Sequence, residues 1–263
     1  MKVYGSNPGS NPGNNPGSNP NCSSIKKRSR RSDTRQDRPV ERHPFEPFLP
    51  AGARMLFLGS FPPQPHRWCM PFYYPNWIND FWRIMGLIHF GDKGHFCQTR
   101  EKRFDEAAIR RFCADAGLAF YDTACEVRRL RDNASDAFLE VVTPTDIRSL
   151  LERIPHCRML ITTGEKATGV VAERFGCPVP DVGAYVDIDL RSMGPDSQHH
   201  DGLNSIGPDR QDSAGFSSMG PGNQDCAGMN TVRRLRFWRM PSSSRAYPLP
   251  LERKAEFYRR LFI

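Results

Sequence analysis

From Met55 to Phe262, short apolar runs alternate with amphipathic stretches, a pattern that restricts the chain to an α/β architecture. Met55-Leu56-Phe57-Leu58, Leu118-Ala119-Phe120-Tyr121 and Arg158 to Thr163 read as buried strands. Between and after them, helical spacing of apolar residues predicts helices over 79–87, 101–116, 145–154 and 166–175, with Gly117 and Gly176 as stop signals. Tyr185 to Leu190 and Arg233 to Met240 read as a strand pair, and Leu251 to Phe262 as a closing amphipathic helix. The expectation is a three-layer α/β/α domain around a central, mostly parallel sheet, with the last two strands forming an antiparallel hairpin.

The chain of 263 residues is longer than this pattern requires. Residues 1–45 repeat Ser-Asn-Pro-Gly tetrads and then turn basic, a composition that cannot bury enough apolar surface to order itself. Met1 to Arg42 carries nine basic and three acidic side chains, so six of the eight formal positive charges lie there and the remainder is nearly neutral. Such an arm either adds salt-sensitive attraction to phosphates or is a solvated leader. The folded domain is placed at 46–263, with a low-complexity insertion at 191–231. There Ser-Met/Ile-Gly-Pro recurs every 13 residues, at Ser192, Ser205 and Ser218. Three such units match no solenoid period, and a hairpin tip tolerates inserts well.

No secretory leader or membrane-length apolar run is present in the sequence, so a cytoplasmic location is expected. The eight cysteines show no C-x-x-C spacing, which argues against a structural zinc or an iron–sulfur site. His95 with Cys97, and His156 beside Cys157, read as ordinary structural residues.

Ligands of open parallel sheets bind beyond the carboxyl ends of the strands. Two loops occupy such positions: Gly59-Ser60-Phe61-Pro62-Pro63 and Pro241-Ser242-Ser243-Ser244-Arg245, both rich in backbone N–H groups or hydroxyls. Between them lies an aromatic and amide-rich segment, Phe72 to Arg83. Phe57, Phe81, Trp82 and Phe120 fit core positions, whereas Phe61, Phe72, Tyr73 and Tyr74 stand in loop sequence where a flat face can stack on a base. Asn79, Asp122 and Asn133 are the polar side chains best placed beside the loops. Helix capping and turn formation are the competing uses of the same residues.

Taken in order, Gly59-Ser60-Phe61-Pro62, then Tyr73 to Asn79-Asp80-Phe81-Trp82-Arg83, then Met240-Pro241-Ser242-Ser243-Ser244 resemble the motifs of the uracil-DNA glycosylase superfamily. The match is closest to its mismatch-specific and hypoxanthine-DNA branches. Asp122 and the Leu130-Arg131-Asp132-Asn133 stretch look like the mid-domain segment of the hypoxanthine branch. The resemblance implies excision of a flipped-out deaminated or mismatched base, without metal or organic cofactor, by a monomer whose partner is duplex or single-stranded DNA and not a membrane. It implies Asn79, Asn133 and Asp122 as catalytic residues, the two amides orienting water. Gly59, Ser60, Phe61, Pro62 and Tyr73 would bind the base, and Pro241, Ser242, Ser243, Ser244 and Arg245 the DNA. One departure stands out: the first loop offers Ser60 and Phe61 where related branches carry Asp or Asn. A catalytically silent nucleic-acid-binding protein and a hydrolase of free nucleosides or nucleotides are the alternatives.

Overall fold

Three runs of the sequence have the composition of buried strands and two more read as a strand pair, and a computed structural model of the chain joins these five strands in one sheet. The model describes residues 38–131, 138–192 and 233–263; Asn133, nearly all of the insertion and the Asn/Pro/Gly/Ser-rich start lie outside the described residues. The elements are β1 (Val40–Arg42), β2 (Met55–Gly59), α1 (Phe81–Phe90), β3 (Cys97–Gln98), β4 (Arg103–Phe104), α2 (Glu106–Ala116), β5 (Leu118–Asp122) and β6 (Ala124–Arg129). They continue with β7 (Leu139–Pro144), α3 (Ile147–Arg153), β8 (Met159–Thr162), α4 (Glu165–Phe175), β9 (Tyr185–Asp189), β10 (Arg234–Arg239) and α5 (Leu251–Arg259).

The large sheet runs β5-β2-β8-β10-β9. Its first four strands are parallel, and β9 pairs antiparallel with β10, as the sequence predicts. All five residues of β5 and the first four of β2 are buried, which is why they read as continuous apolar runs. Phe57 stacks on Phe120 at 5.3 Å between ring centroids and meets Phe81 edge-on at 5.5 Å. Trp82 is fully buried beside them.

Three differences from the sequence reading matter. Helix α2 starts at Glu106, not Glu101, because Arg103 and Phe104 pair with Gln98 and Cys97, and the Asp105 side chain caps the helix through Ala108 N–H. Helix α1 starts at Phe81 rather than Asn79, and α5 gives way to a tighter 3₁₀ turn at Arg260.

A second, antiparallel sheet, β1-β6-β7, was not expected at all. Its strands alternate poorly, and only Ala124, Val127 and Leu139 give it a buried face, joined there by Phe61. Its first strand falls inside the stretch that composition assigns to the basic tail. From β1 the chain continues along β5, where Phe48 and Phe120 exchange two backbone hydrogen bonds of 2.9 and 3.0 Å. The arm thereby covers the open edge of the large sheet.

Candidate active site

Sheet register builds the first part of the site. Gly59 and Asp122 end neighbouring parallel strands as direct partners, so the carboxylate rises beside the first loop. A Cβ on residue 59 would collide with Asp122 Oδ1, so the position requires glycine for close approach. Thr123 N–H donates to Gly59 O at 2.9 Å and fixes the strand ends together. The N–H groups of Ser60 and Phe61 have no backbone partner among the described residues. Beyond them, Arg129 donates to Pro62 O at 3.1 Å while its guanidinium holds Glu41 bidentately, both bonds 3.1 Å. Arg129 is buried, and β1 and β6 together brace the loop from below.

Asp122 is 7% exposed. Its Oδ2 lies 2.9 Å from His43 Nε2, and the two side chains are 10% and 3% exposed. Phe45 N–H donates to His43 Nδ1 at 3.1 Å. The nitrogen that accepts there leaves the ring proton on Nε2, which donates to the carboxylate. Phe45 O, 2.8 Å from Nδ1, accepts from the same ring when it is an imidazolium, and Nε2 is again the donor. Rings of Phe45, Phe61 and Tyr121 surround the imidazole at centroid distances of 5.9, 5.4 and 4.5 Å. Behind the carboxylate, Thr145 Oγ1 donates to Asp122 O at 2.6 Å.

The aromatic segment forms the facing wall. Tyr74 adopts a left-handed backbone (φ 52°), costly for a bulky residue by roughly 1–3 kcal/mol. Offsetting this, its ring lies flat on Phe81 at 3.8 Å and its hydroxyl meets Thr163 Oγ1 at 2.9 Å. Burial pushes the Tyr73 and Tyr74 phenols well up, so both stay protonated and serve as hydrogen-bond groups. Tyr73 OH donates to Glu46 O at 2.9 Å. Phe72, grouped with these rings in the sequence reading, is instead a core residue at 1% exposure.

Asn76 and Asn79 use their amide oxygens locally. Asn76 Oδ1 accepts from Ile78 N–H, and Asn79 Oδ1 accepts from Phe81 N–H at 2.8 Å, opening helix α1. Their NH₂ groups have no partner among the described residues and remain as donors. Arg83 donates to Trp77 O and Asn79 O at 2.8 and 2.9 Å and lies over the Trp77 ring, locking the segment that carries both amides.

The late loop is held by buried charge. Asp80 receives Lys254 Nζ at 3.2 Å and Arg245 Nε at 3.1 Å, and Lys254 also donates to Ser244 O at 2.7 Å. Asp80 N–H donates to Ser243 O, and Tyr258 OH donates to Pro241 O. Ser242 Oγ and Ser244 Oγ accept from the N–H groups of Ser244 and Ala246, which leaves their O–H hydrogens free to donate outward.

These elements enclose a cavity of about 180 Å³. At about 30 Å³ per water it has room for roughly six, the scale of one heterocycle rather than a whole nucleotide. Gly59, Ser60, Phe61, Pro62, Tyr73, Asn79, Asp122, Ser242, Ser243 and Ser244 all line it, joined by Phe45, Asn76, Tyr121, Arg129 and Thr163, which sequence reasoning did not select. Pro241 does not reach it, because it is buried under Tyr258. Arg245 stands outside, in an adjoining open groove of about 890 Å³ with Arg67, Lys166 and Tyr247; Asn76, Asn79, Ser242 and Ser244 line both spaces. His43 was missed because it follows a run of basic residues. Among the described residues no group of three His, Cys, Asp or Glu side chains can hold a metal ion, and no helix is long and apolar enough to cross a membrane. Burial pushes the Cys157 thiol up to about 11 and raises that of Cys113, as expected of packing residues.

No family model and no curated protein matches the sequence. Among solved structures, the chain is similar to a Methanosarcina acetivorans protein determined by solution NMR and described as a "putative Uracil DNA glycosylase". The two are 19% identical with a TM-score of 0.47, over 85% of this chain and 99% of that one.

Proposed function

We propose that the chain is a monofunctional DNA glycosylase with a three-layer α/β/α domain, hydrolysing the N-glycosidic bond of a flipped-out deaminated or mismatched base. The observation that carries this reading is the pairing of a base-sized cavity with a wider groove through shared polar residues. A free nucleotide would leave the groove without a purpose. A base swung out of a strand would fill the cavity and lay its sugar-phosphate backbone along the groove.

The chemistry follows from the groups in place. Extrusion of the base costs a few kcal/mol, least when it is mispaired or damaged. As the glycosidic bond breaks, negative charge gathers on the base and positive charge on the sugar. The free N–H groups of Ser60 and Phe61 would meet a base carbonyl, each such donor worth about 3 kcal/mol in the transition state. The NH₂ groups of Asn76 and Asn79 would add donors to the same oxygen-rich edge or to the incoming water. Phe61 and Tyr73 would bound the base plane, and the hydroxyls of Ser242 and Ser244, with Arg245, would grip phosphates. Asp122 supplies the carboxylate that the first loop lacks.

The test is single-turnover incubation with duplex and single-stranded oligonucleotides carrying uracil, hypoxanthine, xanthine or a G·T mismatch, with abasic sites scored by alkaline cleavage. Release of one of these bases is expected. Salt-sensitive binding without release from any of them would replace the enzyme with a silent DNA-binding protein, and neither would sink the reading.

A further inference from the structure

We infer that His43, the residue just after strand β1, is the positioning residue for Asp122, and that Asp122 is the catalytic base that receives a proton from the attacking water. The inference rests on the glycosylase reading. Two observations carry it. First, one carboxylate oxygen, Oδ2, is tied to His43 Nε2–H, while Oδ1 has no partner among the described residues and sits in the cavity wall over Gly59. Oδ1 is thus the carboxylate oxygen open to the cavity, where a water can donate to it. Second, the imidazole is itself fixed by Phe45 and an aromatic cage, so that the arm specifies where Oδ2 points and hence where Oδ1 points.

In the step so assigned, the C1′–N bond breaks with its electron pair leaving on the base. A water oxygen bonds to C1′, and the water's proton passes to Asp122 Oδ1, from which it is later lost to solvent. His43 keeps its own proton throughout and does not touch substrate. The same carboxylate faces the positive charge that builds on the sugar. Strand β1 also delivers Glu41 to Arg129, so two residues of the arm, Glu41 and His43, brace the first loop and the carboxylate.

The experiment compares the full chain with Asp122→Asn, His43→Ala, His43→Gln and the double variant His43→Ala/Asp122→Asn. Two readouts are taken: single-turnover base release, and binding to a duplex with a cationic pyrrolidine abasic analogue or a neutral tetrahydrofuran one. Wild type should prefer the cationic duplex by about tenfold or more, and Asp122→Asn should abolish that preference. Release should fall by about 100-fold or more in Asp122→Asn, within the range of general-base catalysis, and by roughly tenfold in His43→Ala. The double variant should be no slower than Asp122→Asn alone. His43→Gln, which keeps an N–H donor, should recover part of the loss, and affinity for the tetrahydrofuran duplex should not change.

A purely structural tie would instead lower the urea midpoint while leaving the preference and the rate per folded molecule intact, and that result overturns the inference. If wild type releases no base, the glycosylase reading and the catalytic-base role fall together, and a cationic preference lost in both Asp122→Asn and His43→Ala would leave only the positioning of the carboxylate by His43. If bases are released at unchanged rate by Asp122→Asn, the dyad falls and the glycosylase reading stands.

Discussion

The two loops that meet at the cavity are held in opposite ways. The first, Gly59 to Pro63, is held from outside its own sheet: Arg129 and Glu41 belong to the small antiparallel sheet, and they fix the loop's far end at Pro62. The late loop, Pro241 to Arg245, is held from within, by an ion cluster joining the residue before α1 to the body of α5. The first loop and the Asp122 carboxylate line one wall of the cavity. The second arrangement fixes a backbone path and leaves hydroxyls to turn toward whatever lies in the groove. On the proposed function this contrast becomes a division of labour, with the first loop governing the rate of chemistry and the second the hold on DNA.

The sharpest way to break this contrast is to remove one buried cation from each side. Arg129→Met should cost the less of the two, because Glu41 is a third exposed and stays hydrated, whereas Lys254→Met leaves the buried Asp80 carboxylate without its buried partner and should cost about 3–5 kcal/mol. That corresponds to a fall in Tm of roughly 6–20 °C by calorimetry. Below that temperature Arg129→Met should lower single-turnover release with little change in Kd, and Lys254→Met the reverse; equal effects on both would remove the distinction. A smaller effect is expected from Gly59→Ala, whose methyl must displace Asp122 Oδ1. Crowding of this kind costs about 1–3 kcal/mol, and here release should slow more than the urea midpoint drops.

Ser242→Ala with Ser244→Ala should weaken binding evenly across all oligonucleotides without changing which base is released, as scored by fluorescence anisotropy. The smallest change is expected for Arg245→Ala. Its side chain is half exposed, so its ion pair with Asp80 contributes about 1 kcal/mol or less to stability. If it meets one phosphate in the complex, the slope of log K against log salt should flatten by about one unit. A slope that does not move would place Arg245 on Asp80 alone.

The same two loops show how much the sequence discloses. Strands β2, β5 and β8 were legible because burial on both faces leaves an unbroken apolar run, and the loops after them were found by position. Ten residues nominated from those motifs share one cavity. The small sheet was illegible for the converse reason. Ala124 to Arg129 buries three of its six residues, at a spacing of three and then two and with one of them an arginine, Leu139 to Pro144 buries one of six and Val40 to Arg42 none, so no period survives. A weak signal did exist in Leu139-Glu140-Val141-Val142-Thr143, which is rich in β-branched residues. For Asn79 the sequence marked the residue but not which end of its amide is available: Phe81 N–H occupies Oδ1, and the NH₂ is left for a ligand. His43 carried no signal, since its partner is 79 residues away and its neighbours are those of a charged leader.

That separation in sequence has a consequence in time. Growing chains emerge amino end first at about 5–20 residues per second, so His43 is out of the ribosome roughly 4–16 seconds before Asp122 follows it. Glu41 waits a little longer for Arg129, 88 residues on. During that interval the arm has no sheet to join. The carboxylate and the loop it serves acquire their final aim only when the earliest-made part of the described fold returns to close over them, and until then the nascent chain can hold a parallel sheet without an armed site.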